Sequence, residues 1–352
     1  MLKMNKKLIL TIGILSLLVI TGCDGGKKRD SLTDADIRKG TDGLTMEFLQ
    51  NAPPLNVFEG GSFPISLKIK NIGAFDIGDN PDTKNIVEQS GIVVLGFEKA
   101  SVDIKNPEID VNISGKSIFN QKGDEDVKSV NADAKKIGGQ SETMPSTIFA
   151  TACYPYKTIL DASVCIDTDV IGQRRGQKAC TIKELDFGDG QGAPLAITKI
   201  ETRMLPQDKT PPDKSTIKPH FIIHIKNSGN GQVIRREAKT EDGKPPVNIL
   251  ERVCSSEPLS YMKGKDFNTF NVKATLSGVI LDCTPDDKIN PGVTEARLKD
   301  KEDMIRCTYE DSKGNGIDIE LDAYTAPLKI ELDYGYTFTI SKNIIIEKVL
   351  TH

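Results

Sequence analysis

Two patterns of apolar residues divide the chain. Leu8 to Ile20 is a predominantly apolar run, preceded by Lys3, Lys6 and Lys7 and followed by Thr21-Gly22-Cys23. A basic segment, a short apolar core and small residues before a cut are the three parts of a secretory signal. A membrane-spanning helix needs about 20 apolar residues, and this run is shorter unless Met1 to Gly22 is stretched to fit. An uncleaved anchor is the competing reading, and both readings export the chain.

After a charged, Gly-dotted linker from Asp24 to Gly43, the pattern changes to period two. Within the linker, Thr33-Asp34-Ala35-Asp36 has the spacing of a capping box and predicts a helical turn. Phe63 to Gly73 alternates apolar and polar residues, the pattern of a strand with one wet face. Phe221 to Gly229 repeats it with the same ending, Ile-Lys-Asn-x-Gly. Asn and Gly supply the backbone freedom that ends a strand. Gly91 to Phe97 resembles Ala274 to Ile280, and Tyr154-Pro155-Tyr156 matches Tyr334-Gly335-Tyr336, each followed by a β-branched run.

The spacings agree: Gly96 to Tyr154 is 58 positions and Gly278 to Tyr334 is 56. The extra length of the second copy falls in polar stretches, Pro206 to Thr216 and Arg235 to Val247. Insertions in loops with strands held constant are what a repeated domain predicts. Each copy reads as about seven short strands with long polar loops. The expected fold is therefore all-β, with two tandem β-sandwich domains. The boundaries are 1–22 signal peptide, 23–42 lipidated cysteine and linker, 43–170 first domain, 171–192 connector and 193–352 second domain. Asn106 to Pro145 reads as a long loop, and Thr294 to Met304 as the one candidate for a short helix.

Composition narrows the function classes. Removing residues 1–22, with three lysines and no acid, takes the formal net charge from −4 to −7. Such a surface does not attract nucleic acid or anionic headgroups. Tryptophan is absent and aromatics are 5% of the 352 residues, which argues against a carbohydrate platform built on stacked rings. Apart from Cys23, six cysteines remain: Cys153, Cys165, Cys180, Cys254, Cys283 and Cys307. An even count in an exported chain reads as disulfides. Zinc is the alternative, and it lacks the paired C-x-x-C spacing it would need. Six cysteines allow 15 connectivities. The reading leans to Cys153–Cys165, Cys283–Cys307 and Cys180–Cys254, with Cys165–Cys180 as the rival.

No catalytic constellation emerges. His220 and His224 would suit a metal on a helix, but on a strand they sit about 13 Å apart on the outward register. Without a usable histidine, a Ser-His-Asp or Cys-His site has no base. Asp186-Phe187-Gly188 spells a kinase triplet without the other kinase motifs, and Gly188 to Gly192 lacks the Gly-Lys-Ser/Thr of a P-loop. Asp311 to Asp322 partly mimics an EF-hand loop, with Lys313 where an oxygen ligand belongs. Asp76, Asp79 and Asp82 cluster where a sandwich loop would hold calcium. Neither is adopted as a metal site, and no cofactor is expected. Asn112-Ile113-Ser114 is the one N-glycosylation sequon of the mature chain. The Tyr-x-Tyr pairs are read as tyrosine corners, one ring of each pair packing inward with its hydroxyl tethering a loop.

Two resemblances add to this. Ile20-Thr21-Gly22-Cys23 resembles a lipobox, which implies cleavage before Cys23 and diacylation of its thiol. Two acyl chains anchor stably where one does not. Ile69-Lys70-Asn71-Ile72-Gly73 resembles CARDB and related immunoglobulin-like domains of prokaryotic surface proteins. Ala152-Cys153-Tyr154-Pro155-Tyr156 and Gly190-Gln191-Gly192-Ala193-Pro194 are similar to segments of archaeal envelope lipoproteins. These families imply adhesion, spacing or scaffolding. The expected function is thus a non-enzymatic lipoprotein on the extracytoplasmic face of the cell membrane. Its expected partners are the membrane, through the lipid, and another envelope protein or surface polymer, with no nucleic acid. A ligand-binding lipoprotein serving a transporter is the alternative, followed by an exported hydrolase accessory subunit.

Overall fold

A computed structural model describes residues 33–78, 90–174, 176–207, 215–238, 247–248, 253–254, 264–285, 288–290, 292–310 and 316–349. The signal segment, Cys23 and the linker as far as Leu32 lie outside the described residues. The predicted helical turn is present as α1 (Asp34–Ile37).

The other regular elements named among the described residues are strands, apart from a 3₁₀ turn at Gly264–Asp266. The first half gives β1 (Leu44–Phe48), β2 (Asn56–Phe58), β3 (Ser62–Asn71), β4 (Gly91–Gly96), β5 (Val102–Asp103), β6 (Glu108–Val111), β7 (Glu125–Ala134) and β8 (Thr143–Ile166). The connector carries β9 (Leu185–Asp186). Then come β10 (Leu195–Gln207), β11 (Thr216–Asn227), β12 (Gln232–Ile234), β13 (Glu237–Ala238), β14 (Val247–Asn248), β15 (Thr269–Leu276) and β16 (Val279–Ile280). The chain ends with β17 (Asp282–Thr284), β18 (Lys288–Asn290), β19 (Val293–Arg297), β20 (Glu302–Thr308), β21 (Ile317–Asp318) and β22 (Tyr324–Glu347).

The protein is all-β and sandwich-like. One sheet runs β1-β3-β7-β5, and a second runs β17-β20-β11-β10-β9. Both pack against a ten-stranded sheet whose main path is β18-β19-β15-β22-β8-β4-β6. Ile65, Leu67 and Ile69 of β3, Phe221, Ile223 and Ile225 of β11, and the inward tyrosines of β8 and β22 share one buried cluster. Period-two alternation produces this directly, since every second side chain of a strand meets the core.

The repeat seen in the sequence has a spatial counterpart. The order β19-β15-β22 on one side of the large sheet matches β6-β4-β8 on the other. The smaller sheets correspond strand for strand, β1, β3, β7 and β5 with β10, β11, β20 and β17. β8 and β22 run antiparallel over their full 24 residues, with Gly335 opposite Pro155, Tyr334 opposite Tyr156 and Tyr336 opposite Tyr154. An approximate two-fold axis therefore passes through the Pro155–Gly335 pair.

Three expectations are corrected here. The strands after each Tyr-x-Tyr are not separate short ones, because each runs on in a single strand held by the ladder to its partner. The loop expected over Asn106 to Pro145 contains β6 and β7. Its polar composition hid β7, which buries only Ala132 and Ala134 and is held by backbone pairing to β3. Thr294 to Met304 is not a helix but the turn between β19 and β20 with the strand residues either side of it.

Candidate functional site

A set of interacting polar side chains lies around the pseudo-two-fold axis. Each Asn-x-Gly that ends a long strand is built in the same way. Gly73 N–H donates to Asn71 Oδ1 at 3.2 Å, and Gly229 N–H donates to Asn227 Oδ1 at 3.2 Å. Asn71 Nδ2 donates to the Phe75 carbonyl at 2.8 Å, and Asn227 Nδ2 donates to the Gly231 carbonyl at 2.9 Å. A tyrosine closes each turn. Tyr156 donates to Asn71 Oδ1 and Tyr336 to Asn227 Oδ1, both at 3.2 Å. The Phe75 N–H donates to Tyr156 Oη at 3.4 Å, and the Gly231 N–H to Tyr336 Oη at 2.7 Å.

The other tyrosine of each pair also turns inward. Tyr154 Oη accepts from Leu44 N–H and Tyr334 Oη accepts from Leu195 N–H, each at 3.2 Å. The expectation of one inward ring per pair is thus corrected. In a strand, residues two apart share a face, so both rings of a Tyr-x-Tyr enter the core together. The four rings touch: Tyr154 and Tyr156 lie edge to face at 5.4 Å, Tyr154 and Tyr336 at 5.8 Å, and Tyr156 and Tyr334 at 6.4 Å.

Burial raises all four phenols. Tyr154 and Tyr334 lie well above the usual phenol range, Tyr156 is raised as well, and Tyr336 is pushed up to about 12. At neutral pH they are uncharged hydrogen-bonding groups that lock strand ends, without the charge a nucleophile or general base carries.

The glycines are set by this packing, not by backbone freedom. Neither Gly73 nor Gly229 has positive φ. A Cβ on Gly73 would meet the Tyr156 hydroxyl and stand 2.7 Å from the carbonyl oxygens of Asp42 and Gly192; on Gly229 it would meet the Tyr336 hydroxyl and stand 2.7 Å from Pro194 Cβ. Sequence reasoning attributed these glycines to turn flexibility and missed Asn71 and Asn227 as hubs. The recurrence of Asn-x-Gly and Tyr-x-Tyr in both copies was the available signal.

The six cysteines form three pairs. Cys283–Cys307 joins directly opposed residues of β17 and β20, as expected. Cys165–Cys180, the rival pairing, is the one formed, and Cys153 pairs with Cys254. The expected Cys153–Cys165 bond fails because both residues lie on β8, 12 positions apart. At about 3.3 Å per residue they are about 40 Å apart along the strand, beyond any disulfide. The expected Cys180–Cys254 bond fails in turn, since each residue has another partner. Cys153 lies on the outward face of β8, so its bond to Cys254 pins Val253 and Cys254 near that face. Val94, Ile234, Val253 and Phe267 form a small second core around it.

The remaining candidates separate. His220 and His224 stand on the half-exposed side of β11, opposite Phe221, Ile223 and Ile225. His224 Nε2 is 3.0 Å from Glu201 Oε1, and burial followed by Arg306 and Arg203 lowers His220. Asp186 belongs to β9, and Phe187 packs against the main core. Asp76 Oδ1 accepts from Gly115 N–H at 2.7 Å, while Asp79, Asp82 and Asp311 to Asn315 lie outside the described residues. Asn112 is exposed. Among the described residues, no three His, Cys, Asp or Glu side chains group to hold a metal ion. No helix among them is long and apolar enough to cross a membrane. No protein-family model matches the chain, and no curated protein matches it.

Proposed function

We propose that the protein is a lipid-anchored component of the extracytoplasmic face of the cell membrane, with a structural, adhesive or macromolecule-binding role. In this reading its two halves are tandem immunoglobulin-like sandwiches fused through the β8–β22 ladder. The observation that carries the proposal is the pairing of all six cysteines other than Cys23. Such pairing persists in oxidising compartments and is rare in the cytosol, and it agrees with a signal segment ending at Cys23. The all-β architecture favours this reading over a transporter-linked binding protein, which needs two lobes closing on a cleft. Fractionation of cells carrying Cys23→Ser tests the anchor. The proposal expects the native chain in the membrane fraction and the variant released or retained as precursor; equal membrane association of both contradicts it.

A further inference from the structure

The outward face of the ten-stranded sheet differs in chemistry on the two sides of the pseudo-two-fold axis. Lys157 and Asp161 of β8, with Lys329, Glu331 and Asp333 of β22, make one side charged. Along β8 and β22 the equivalent side is uncharged except for Glu347 at the end of β22. Its β8 positions are Pro145, Thr147, Phe149 and Thr151, and its β22 positions are Thr337, Thr339, Ser341, Asn343 and Ile345. That is unusual in a chain of which 27% is charged.

This side forms an open cleft of about 820 Å³, walled by Leu55, Phe97, Phe149 and Ile345. Phe149 is 45% exposed and Leu55 is 61% exposed. One cross-strand pair lies in the floor, where Thr147 Oγ1 donates to Asn343 Oδ1 at 2.9 Å; the Thr151 and Thr339 hydroxyls, 2.9 Å apart, continue the same face beyond the cleft. The Thr147 bond uses the carbonyl end of Asn343, itself a lining residue of the cleft. Gly96, beside Phe149 in the β4–β8 register, keeps one flank of the ring low. Glu98 stands at the rim, and Glu108 and Asp110 of β6 lie further out on the same face.

We propose that this cleft binds a neutral polysaccharide. Hydroxyl and amide groups between apolar walls match the two aspects of a sugar, its hydroxyl rim and its C–H face. An uncharged floor costs no ion desolvation, and the acidic rim disfavours polyuronates, teichoic acids and nucleic acids. Composition argued against a platform of several stacked rings; here one aromatic plate and a hydroxyl floor act together. Along β8 the cleft lies about 45 Å from Asp161, which pairs with Arg38 just after α1. The proposal rests on the envelope-binding reading and names its partner class.

The test is titration of the detergent-extracted protein with cellohexaose, maltohexaose and N-acetylchitohexaose, with polygalacturonate and a lysine-rich decapeptide for comparison. The expected result is saturable binding of at least one neutral hexasaccharide, weakened about tenfold by Phe149→Ala and retained by Phe149→Tyr. Because Phe149 lies at the surface, an unchanged melting temperature separates loss of binding from misfolding. Binding of none of the three sugars, binding indifferent to Phe149→Ala, or a preference for the peptide or the polyuronate overturns the proposal. The Cys23→Ser fractionation reads the anchor separately, so its outcome stands whichever way the titration falls.

Discussion

Tyr334 faces Tyr156 across the β8–β22 ladder, and the Tyr334 hydroxyl also pairs with Thr158 Oγ1 of β8 at 3.0 Å. Tyr156 caps the Asn71 turn of the first half, and Tyr334 holds Leu195 at the start of the second. The axis is thus both the seam between the repeats and the place where each repeat closes its strand ends. Several consequences are measurable.

Removing one hydroxyl strands buried partners. Tyr336→Phe leaves the Gly231 N–H and Asn227 Oδ1 without their tyrosine, which costs about 1–3 kcal/mol. Tyr156→Phe should cost a similar amount, because the turn it closes is built alike. Tyr336→Phe combined with Asn227→Ala should be non-additive by about 0.5–3 kcal/mol, as for residues sharing one network. Urea unfolding of the single and double variants reads both; strict additivity would mean that the tyrosine and asparagine act independently.

Gly73→Ala and Gly229→Ala should each destabilise by about 3 kcal/mol or more, since the added methyl overlaps a buried tyrosine hydroxyl. The pairing Gly73→Ala with Tyr156→Phe makes room and should recover part of the loss. Absence of any recovery in thermal melts would return these glycines to a turn-flexibility role.

High pH should unfold the protein cooperatively. The tyrosine hydroxyls are raised in the folded state, so above about pH 10 the unfolded chain loses protons that the folded one keeps. Stability is constant with respect to these groups below that pH. It then falls as pH rises toward about 12, where Tyr336 ionises in the fold, and further for the other three. Tyrosinate absorbance should lag behind that of a model peptide and then appear together with loss of the β-sheet signal. Early ionisation of all seven tyrosines without unfolding would contradict the burial of the cluster.

The sequence disclosed the β class, the repeat and the paired motifs, because each is local: period-two alternation, and short strings recurring at matched spacing. It did not disclose that Thr143 to Ile166 is one strand. Nothing local distinguishes a long strand from two short ones when Pro155 interrupts the pattern, and only the ladder to β22 decides. The cysteine pairing followed from that same error. β7 escaped notice because an amphipathic reading needs an apolar face, and a strand held by its neighbour's backbone needs little of one. The neutral cleft is invisible in the sequence, since its residues come from positions about two hundred apart.

The disulfides should contribute unequally. Cys153–Cys254 spans 101 positions and Cys165–Cys180 spans 15. On a chain-entropy account their removal costs about 4.7 and about 3 kcal/mol respectively. Paired Cys→Ala variants in urea unfolding test this order. A larger loss from the short loop would show that strain or enthalpy outweighs loop closure.

The most direct test of the central claim is the intact mass of the protein extracted from its native membrane, before and after reduction. An exported, lipid-anchored chain predicts a mass beginning at Cys23 with added acyl chains, gaining six hydrogens as three disulfides open. A full-length, unmodified chain whose mass does not change on reduction would contradict the anchor, the compartment and the disulfide framework together.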